Sequence, residues 1–500
     1  MGTYLGVDHG GSTTTALLVA DDGRILGRGT VAMPRYTPSA GWVEHDPDDF
    51  TTGTIGCAAM ALEAAGLRWR DVDAVGIANQ GETSIAWDSR TGRPVGPALS
   101  WQDRRTDEAC RALVEAGDDD LVRAISGLSI DPYFSASKFA WLMGCSDEAT
   151  SALTANALRL GGSDAFVIAS LCRHSEHCTD ASTASRTALL DLDAVRWSPQ
   201  LLDVFGVPKD CLPAITPTTY PFGIIHHPLI AKRIPITANV VDSHAAQFMH
   251  EAWAPGAVKA SFGTGAFIET SVGPTAIRSA RGLTPFIGWD VQGDLRYVLE
   301  GGVFDVGAAL DWLVTVGLAE SASQTAELAS RVTDSGGVRF VPAFSGLGAP
   351  TWNSRARGSL SGLSLESSAA HIIRAMLHGI AMGVCSIVDL LGRDAGRPIS
   401  GLRADGGPSA NPMLMQMHAD LLGISVSVVD EPDVTAFGAA FLAGVGDGSF
   451  TASDLPHFSP PVTEYEPQQS SDWRGAQWAQ WTDLLSAVQA PALLAGCQSP

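Results

Sequence analysis

Positive charge is scarce in this chain: 32 Lys and Arg stand against 54 Asp and Glu, for a formal net charge of −22. Such a surface repels phosphate backbones and lacks the basic footprint of a nucleic-acid-binding protein. The opening MGTYLGVDHG has neither a basic n-region nor an apolar h-region, and the most apolar helical stretch, 371–391, carries His371, Arg374, His378 and Asp389. The expectation is a cytoplasmic protein with no nucleic-acid or membrane partner. Cysteine is sparse too: the eight, at 57, 110, 145, 172, 178, 211, 385 and 497, show no framework spacing and are expected to be reduced thiols. One cluster, Cys172-Arg173-His174-Ser175-Glu176-His177-Cys178, has zinc-binding residue types. Its C-x-H-x2-H-C spacing crowds the ligands, so a solvent-facing turn without a metal role is expected. No GxxxxGK[ST] occurs and no GxGxxG follows the first strand, which removes the P-loop and simple dinucleotide folds.

What the chain does have is apolar patterning over 500 residues, with 45% hydrophobic and 17% charged. At roughly 100–200 residues per domain this is too long for one core, so two large domains with a possible cleft are expected. Residues 3–30 read as three strands with period two, Asp21-Asp22-Gly23 being a hairpin turn. Asp46-Pro47 supplies an N-cap and an N1 proline for a helix over 47–65, and DAVGIANQ (73–80) returns as a buried strand. The pattern restarts near 245–260 with VKASFGTGAFIETSVG (258–273), which suggests a duplicated α/β core. Ile373, Leu377, Ile380, Val384, Ile387 and Leu391 mark one face of a long helix. LRADGGPSAN (402–411) is a strand end, glycine turn and helix start; that helix runs to Gly423, and a strand (ISVSVV) and a small-residue helix (TAFGAAFLAG) follow. Residues 457–470 read as a Pro-rich connector to a last helix whose Trp478, Trp481, Leu485 and Val488 pack back on the body.

Three glycine turns carry chemistry: Asp8-His9-Gly10-Gly11-Ser12-Thr13-Thr14, Ser261-Phe262-Gly263-Thr264-Gly265 and Asp405-Gly406-Gly407-Pro408-Ser409-Ala410-Asn411. Each follows an apolar strand, so its amides and hydroxyls face whatever cleft lies at the strand ends. Glycine lets the backbone approach a phosphate oxygen, and an Asp at the end of the first strand can hold hydrated Mg²⁺.

These turns belong to a longer series of blocks: GWVEHDP (41–47), NQGET (79–83), WQDRRT (101–106), IDPYFSASK (130–138), ASRT (184–187), LEGGVF (299–304), FSGLGAPTW (344–352), ARGSLSGL (356–363), HIIRA (371–375), DGGPSAN (405–411) and TAFGAAFLAG (435–444). In that order they resemble the FGGY carbohydrate kinases, and within them the glycerol kinases, over nearly the whole chain. The resemblance implies an α/β fold of two actin-like (ribonuclease H-like) ATPase domains with a cleft between them. Residues 1–246 would bind the polyol or sugar, and 247–500, with the C-terminal helix, the nucleotide. ATP and Mg²⁺ are the implied cofactors, a small polyol or sugar the implied partner, and a homodimer or higher homo-oligomer is left open. By the same resemblance Asp8 organises the metal, Gly11, Ser12 and Thr13 form the first phosphate loop, and Thr264 is a second phosphate contact. Gly307, Gly407 and Asn411 match positions around the adenosine, and Asp242 matches the catalytic base. That last role suits the chemistry, since an alcohol attacking phosphorus needs a carboxylate to take its proton. Asp242 is equally placed to cap the helix HAAQFMHEA.

Gln80, Glu82, Trp101, Tyr133, Asp242 and Phe267 fit the glycerol kinase pattern, but other positions depart from it. Gly81 replaces the arginine of NQRET, and Ser243 replaces a glutamine after the base; both remove volume and a donor from the acceptor pocket. A longer polyol or a ketopentose filling the vacated space therefore stands beside glycerol as the expected substrate. Thr15 stands where a basic residue often ends the first phosphate loop, and Asp311 replaces a glutamine beside the adenosine. These two changes raise a third reading, a silent polyol- or nucleotide-binding regulator, against which the intact Asp8, Asp242 and glycine turns count. An actin-fold chaperone ATPase lacks any candidate peptide-binding domain here.

Overall fold

The first thirty residues form a three-strand antiparallel meander, β1 (Thr3–His9), β2 (Thr13–Ala20) and β3 (Ile25–Ala32), in which β1 and β2 are buried along nearly their whole length instead of alternating with the expected period of two. The computed structural model describes residues 2–172, 176–228, 230–251, 253–353 and 355–489. Gly23, at φ 83°, makes the β2–β3 turn as expected. Helix α1 (Pro47–Ala65) starts where Asp46 accepts a hydrogen bond from Asp48 N and stops at left-handed Gly66. Strand β4 (Ala74–Asn79) runs parallel to β1, and after a long insertion β5 (Thr219–His227) and β6 (Ile230–Val241) complete a sheet ordered β5-β6-β4-β1-β2-β3. Helix α2 (Asp242–Met249) leaves from β6; the expected domain division after residue 246 falls inside it.

The second half repeats the plan. Strands β7 (Ala257–Phe262) and β8 (Ala266–Gly273) are antiparallel, β9 (Thr284–Val291) and β10 (Asp294–Val303) follow, and helices α3 (Gly307–Thr315) and α4 (Ala369–Asp394) precede β11 (Gly401–Asp405). Then come α5 (Pro412–Leu422), β12 (Val426–Val429), α6 (Val434–Asp447), β13 (Val462–Tyr465) and α7 (Ser471–Gln489). The sheet order is β9-β10-β8-β7-β11-β12-β13. β7 pairs antiparallel with β8 and parallel with β11, as β1 does with β2 and β4, so the core is duplicated. The apolar helix α4 is, among the described residues, the one helix long and apolar enough to cross a bilayer, and Ile373, Leu377, Ile380, Val384, Ile387 and Leu391 are all buried inside the second lobe.

One expectation is corrected: the Pro-rich connector contains a strand, its β-branched Val462 and Thr463 and aromatic Tyr465 suiting an edge strand that pairs antiparallel with β12. The turn expected within Cys172–Cys178 falls largely outside the described residues: Cys172, His177 beneath Trp87, and Cys178, which opens a short strand paired to Ala214–Thr216, pack inward, and Glu176 is exposed. Arg173, His174 and Ser175 of that stretch, and Cys497, lie outside the described residues. The last helix does pack back on the body, its Trp481 Nε1 donating to Ser386 Oγ at 2.9 Å and Trp478 Nε1 to Leu421 O at 3.2 Å.

Helix α6 belongs to the second half in sequence but lies on the first sheet, across β1, β4 and β6 and against α2. It sits at backbone contact. Gly6 and Gly76 are partners across the β1–β4 ladder, and a Cβ on either would lie 1.9 Å from Ala436 O or 2.0 Å from Ala439 O. Only glycine permits that approach.

Candidate active site

Parallel pairing of β1, β4 and β6 brings Asp8, the Gln80–Glu82 turn and Asp242 out at one edge of the first sheet. Pairing of Ser261 with Asp405 does the same for β7 and β11 in the second lobe. Between these strand ends lies a cavity of about 270 Å³, lined by Asp8, Gln80, Gly81, Glu82, Trp101, Tyr133, Asp242, Ser243 and Phe267 of the expected residues, and also by Arg186, Lys259, Ser261, Glu300 and Asp405. A cleft at the carboxyl ends of parallel strands is where open α/β sheets bind ligands.

The cavity has an apolar wall and an acidic floor. Trp101 meets Tyr133 and Phe267 edge to face, with ring centroids 5.8 and 6.3 Å apart, Phe267 coming from the second lobe. Tyr133 is anchored from behind by Lys138, whose Nζ donates to Tyr133 O at 2.7 Å; burial lowers that ammonium to about 8. Asp8 keeps Oδ1 buried without a partner among the described residues, and burial first, then Asp242 and Asp433, raise its pKa well above the usual range. Burial likewise pushes Asp242 up to about 6. Asp242 is not the N-cap that its position suggested. It is the first helical residue of α2, Val241 takes the cap position, and the carboxylate accepts from the adjacent Ser243 N at 2.6 Å. Asp405 is held below its usual value, against its burial, by the ring of His250, whose Nε2 lies 2.6 Å from Oδ2.

Glu82 is reached through strained backbone, since it sits at φ 60°, a region non-glycine residues avoid at a cost of about 1–3 kcal/mol. Hydrogen bonds to its carbonyl from Ser84 Oγ (3.1 Å) and Ser135 Oγ (3.2 Å) hold it there. Its carboxylate meets Arg186 Nη1 at 2.9 Å. Arg186 also reaches Glu300 Oε2 at 2.7 Å, His244 Nε2 at 3.2 Å and Ser243 Oγ at 3.3 Å, and lies 4.0 Å over the Phe286 ring. Because Nη2 donates, His244 accepts as a neutral ring, in keeping with burial that drives it down to about 3. Lys259 Nζ stands 3.6 Å from Glu269 and donates to Ser243 O at 3.1 Å, tying the second lobe to the first.

The room expected beside Gly81 is not there. A Cβ at position 81 would lie 2.7 Å from Arg186 Cδ, so the side chain of Arg186 fills the space and brings a guanidinium back to the pocket. The ASRT block by itself assigns Arg186 no role; its one local signal is a lone arginine among small residues, ASTASRTA. Lys259 and Glu300 carry no such signal, and Asp405 enters the site from the third glycine turn.

The glycine turns flank this cavity. Gly10 N donates to Thr13 O at 3.0 Å, leaving Gly11, Ser12 and Thr13 exposed, and Thr264 is exposed in the second turn. Gly307 packs α3 onto that turn, its absent Cβ lying 2.5 Å from Gly263 O, while a Cβ on Gly407 would meet nothing. Asn411 spends its side chain locally, accepting from Leu414 N and donating to Thr325 Oγ1, each at 3.0 Å. Asp311 lies exposed on α3. Thr15 is buried within β2 with Oγ1 3.3 Å from Thr30 Oγ1, so it does not end the exposed loop.

The N- and C-terminal domain models of the FGGY family of carbohydrate kinases match residues 3–249 and 258–446. The chain is 39% identical over 483 residues to a glycerol kinase of Aromatoleum aromaticum, covering 96% of this chain and 97% of that protein. It is 38% identical over 481 residues to a glycerol kinase of Thermus brockianus, covering 95% and 96%. Among solved structures, Plasmodium falciparum glycerol kinase with ADP superposes with a TM-score of 0.92 at 27% identity, over 98% of this chain and 99% of that one. A xylulose kinase of Lactobacillus acidophilus shares the fold at a TM-score of 0.85 and 19% identity, over 98% and 99%. The two lobes are thus actin-like ATPase domains with the cavity in the cleft between them, and the chain belongs to the FGGY family of carbohydrate kinases and is a carbohydrate kinase.

Proposed function

We propose that the enzyme transfers the γ-phosphoryl group of ATP to a hydroxyl of a small neutral polyol, with glycerol the favoured acceptor and Asp242 the general base. The observation that carries this reading is the convergence of Asp8, Asp242 and Asp405 on one cavity with an aromatic wall. Glu82, Ser243 and Glu300 offer oxygens to acceptor hydroxyls, and Trp101, Tyr133 and Phe267 cover its carbon faces. The acceptor hydroxyl gives its proton to the Asp242 carboxylate as it attacks phosphorus. Asp8, whose Oδ1 lacks a partner, fits a hydrated Mg²⁺, which when bound supplies positive charge against the phosphates. The exposed amides and hydroxyls of Gly11, Ser12, Thr13 and Thr264 suit the phosphates, and the open backbone at Gly407 suits the nucleoside.

The motive for a longer acceptor was vacated space at Gly81, and Arg186 occupies it. The carboxylate-rich floor also disfavours anionic aldonates. ADP release should therefore be greatest with glycerol across a panel of glycerol, tetritols, pentitols, ketopentoses, hexoses and gluconate. Highest kcat/KM on a ketopentose would overturn the acceptor assignment, and no release from any member would overturn the reading altogether.

A further inference from the structure

We infer that Lys259 is a positioning residue for the general base, its ammonium reaching from the second lobe to fix the residue that holds the Asp242 carboxylate; this rests on the reading of Asp242 given above. Lys259 is fully buried on β7 and lines the cavity. Its Nζ donates to Ser243 O at 3.1 Å, and Ser243 N donates to Asp242 Oδ1 at 2.6 Å. One residue of the first lobe thus joins the lysine to the base, its carbonyl held from the second lobe and its amide spent on the carboxylate. The first turn of α2 needs such a hold, because Val241 at the cap position provides no side-chain acceptor for it. The rest of the helix is fixed by other means. Gly438 of α6 packs on its middle, an added Cβ there lying 2.3 Å from Ala245 O, and His250 at its end has Nε2 2.6 Å from Asp405 Oδ2. The contact from Lys259 falls on the one turn that carries the base.

Electrostatics argue that the lysine is not there for the sake of the helix. A cation beside the first turn opposes the helix dipole, and burying an ammonium is costly. Glu269 of β8 offsets that cost: it stands directly opposite Lys259 in the β7–β8 ladder, with Oε2 3.6 Å from Nζ. Two apolar side chains would fill the same places without any desolvation to offset. They could not hold Ser243 O, nor place a positive charge in the cleft beside a carboxylate that works ionised. Burial is the main influence on Asp242 and opposes its ionisation, with Glu82 adding to it; the Ser243 amide, Arg186 and Lys259 favour it.

The test is a double-mutant cycle of Lys259→Met and Asp242→Asn on the best acceptor of the panel, with Lys259→Met/Glu269→Leu and melting temperatures measured alongside. Lys259→Met is expected to lower kcat by about 10- to 100-fold, with the KM for acceptor and for ATP within about threefold of wild type. Added to Asp242→Asn, it should cost less than about a further twofold, because the lysine acts through the base. Lys259→Met leaves Glu269 buried without its cross-strand lysine and should melt lower; Lys259→Met/Glu269→Leu should regain that melting temperature and keep the low kcat. A merely structural lysine would give kcat back together with the melting temperature. That recovery, a loss that multiplies with Asp242→Asn, or a raised ATP KM at unchanged kcat overturns the inference. If Lys259→Met does not fold, Lys259→Met/Glu269→Leu takes its place in the cycle. Near-normal turnover of Asp242→Asn, or no turnover of wild type on any panel acceptor, removes the base reading and this role of Lys259 with it. An impaired Asp242→Asn beside a fully active Lys259→Met/Glu269→Leu removes the role of Lys259 alone.

Discussion

Asp242→Asn is expected to lower kcat by about 10²–10⁴-fold while changing the acceptor KM by less than about threefold. Asparagine keeps the shape of the side chain and an oxygen that can accept from Ser243 N, so α2 should start as it does now and the melting temperature should hold. What it loses is the ability to take a proton. The pH dependence gives an independent signature. Asp242 works as a carboxylate and burial places its pKa at about 6, so kcat/KM of the wild type should fall as pH drops through that value. Residual turnover of Asp242→Asn should be flat across the same range. Stopped turnovers followed by ADP release from pH 5 to 8 would check both. Near-normal turnover of the asparagine variant, or the same acid limb in both proteins, would remove Asp242 from the role of base.

Gly76→Ala is expected to destabilise the protein by about 3 kcal/mol, and Gly76→Val to prevent accumulation of folded protein. At 2.0 Å from Ala439 O, a Cβ meets backbone and not a side chain that can turn aside. Helix α6 would have to lift from the sheet, uncovering β1 and β4 together, and Gly6→Ala should act in the same way from the partner strand. Gly475→Ala in α7 is the matched control: its Cβ meets nothing, and alanine in a helix should be neutral or stabilising by up to about 1 kcal/mol. Calorimetric melting of the variants at one pH and ionic strength compares them directly. Equal melting of Gly76→Ala and wild type would show that α6 is not held by backbone contact.

Much of this architecture was legible because its signals are local. The Asp21-Asp22-Gly23 turn, the Asp46-Pro47 helix start and the glycine stop at 423 depend on neighbours within a few residues. The family was legible as ordered blocks, and of the residues singled out from them Asp8, Glu82, Trp101, Tyr133, Asp242 and Phe267 line one cavity. The occupant of the space at Gly81 was not, because Arg186 lies more than a hundred residues along the chain and nothing local marks it as a partner. The same holds for Asp405 with His250, and for Gly6 and Gly76, whose need for glycine is set by a helix near residue 440. These misses share one cause: sequence patterns report which face of an element is apolar, and not which distant element lies on it.

Helix α6 also sets an order of events in biosynthesis. The face of the first sheet that it covers is complete once β6 has been made, yet Val434–Asp447 leaves the ribosome only after the greater part of the second half. At about 5–20 residues per second, the apolar trough around Gly6 and Gly76 stays open for roughly 10–40 s. During that interval the nascent N-terminal half exposes an apolar sheet face, and a chain truncated before residue 434 should never cover it.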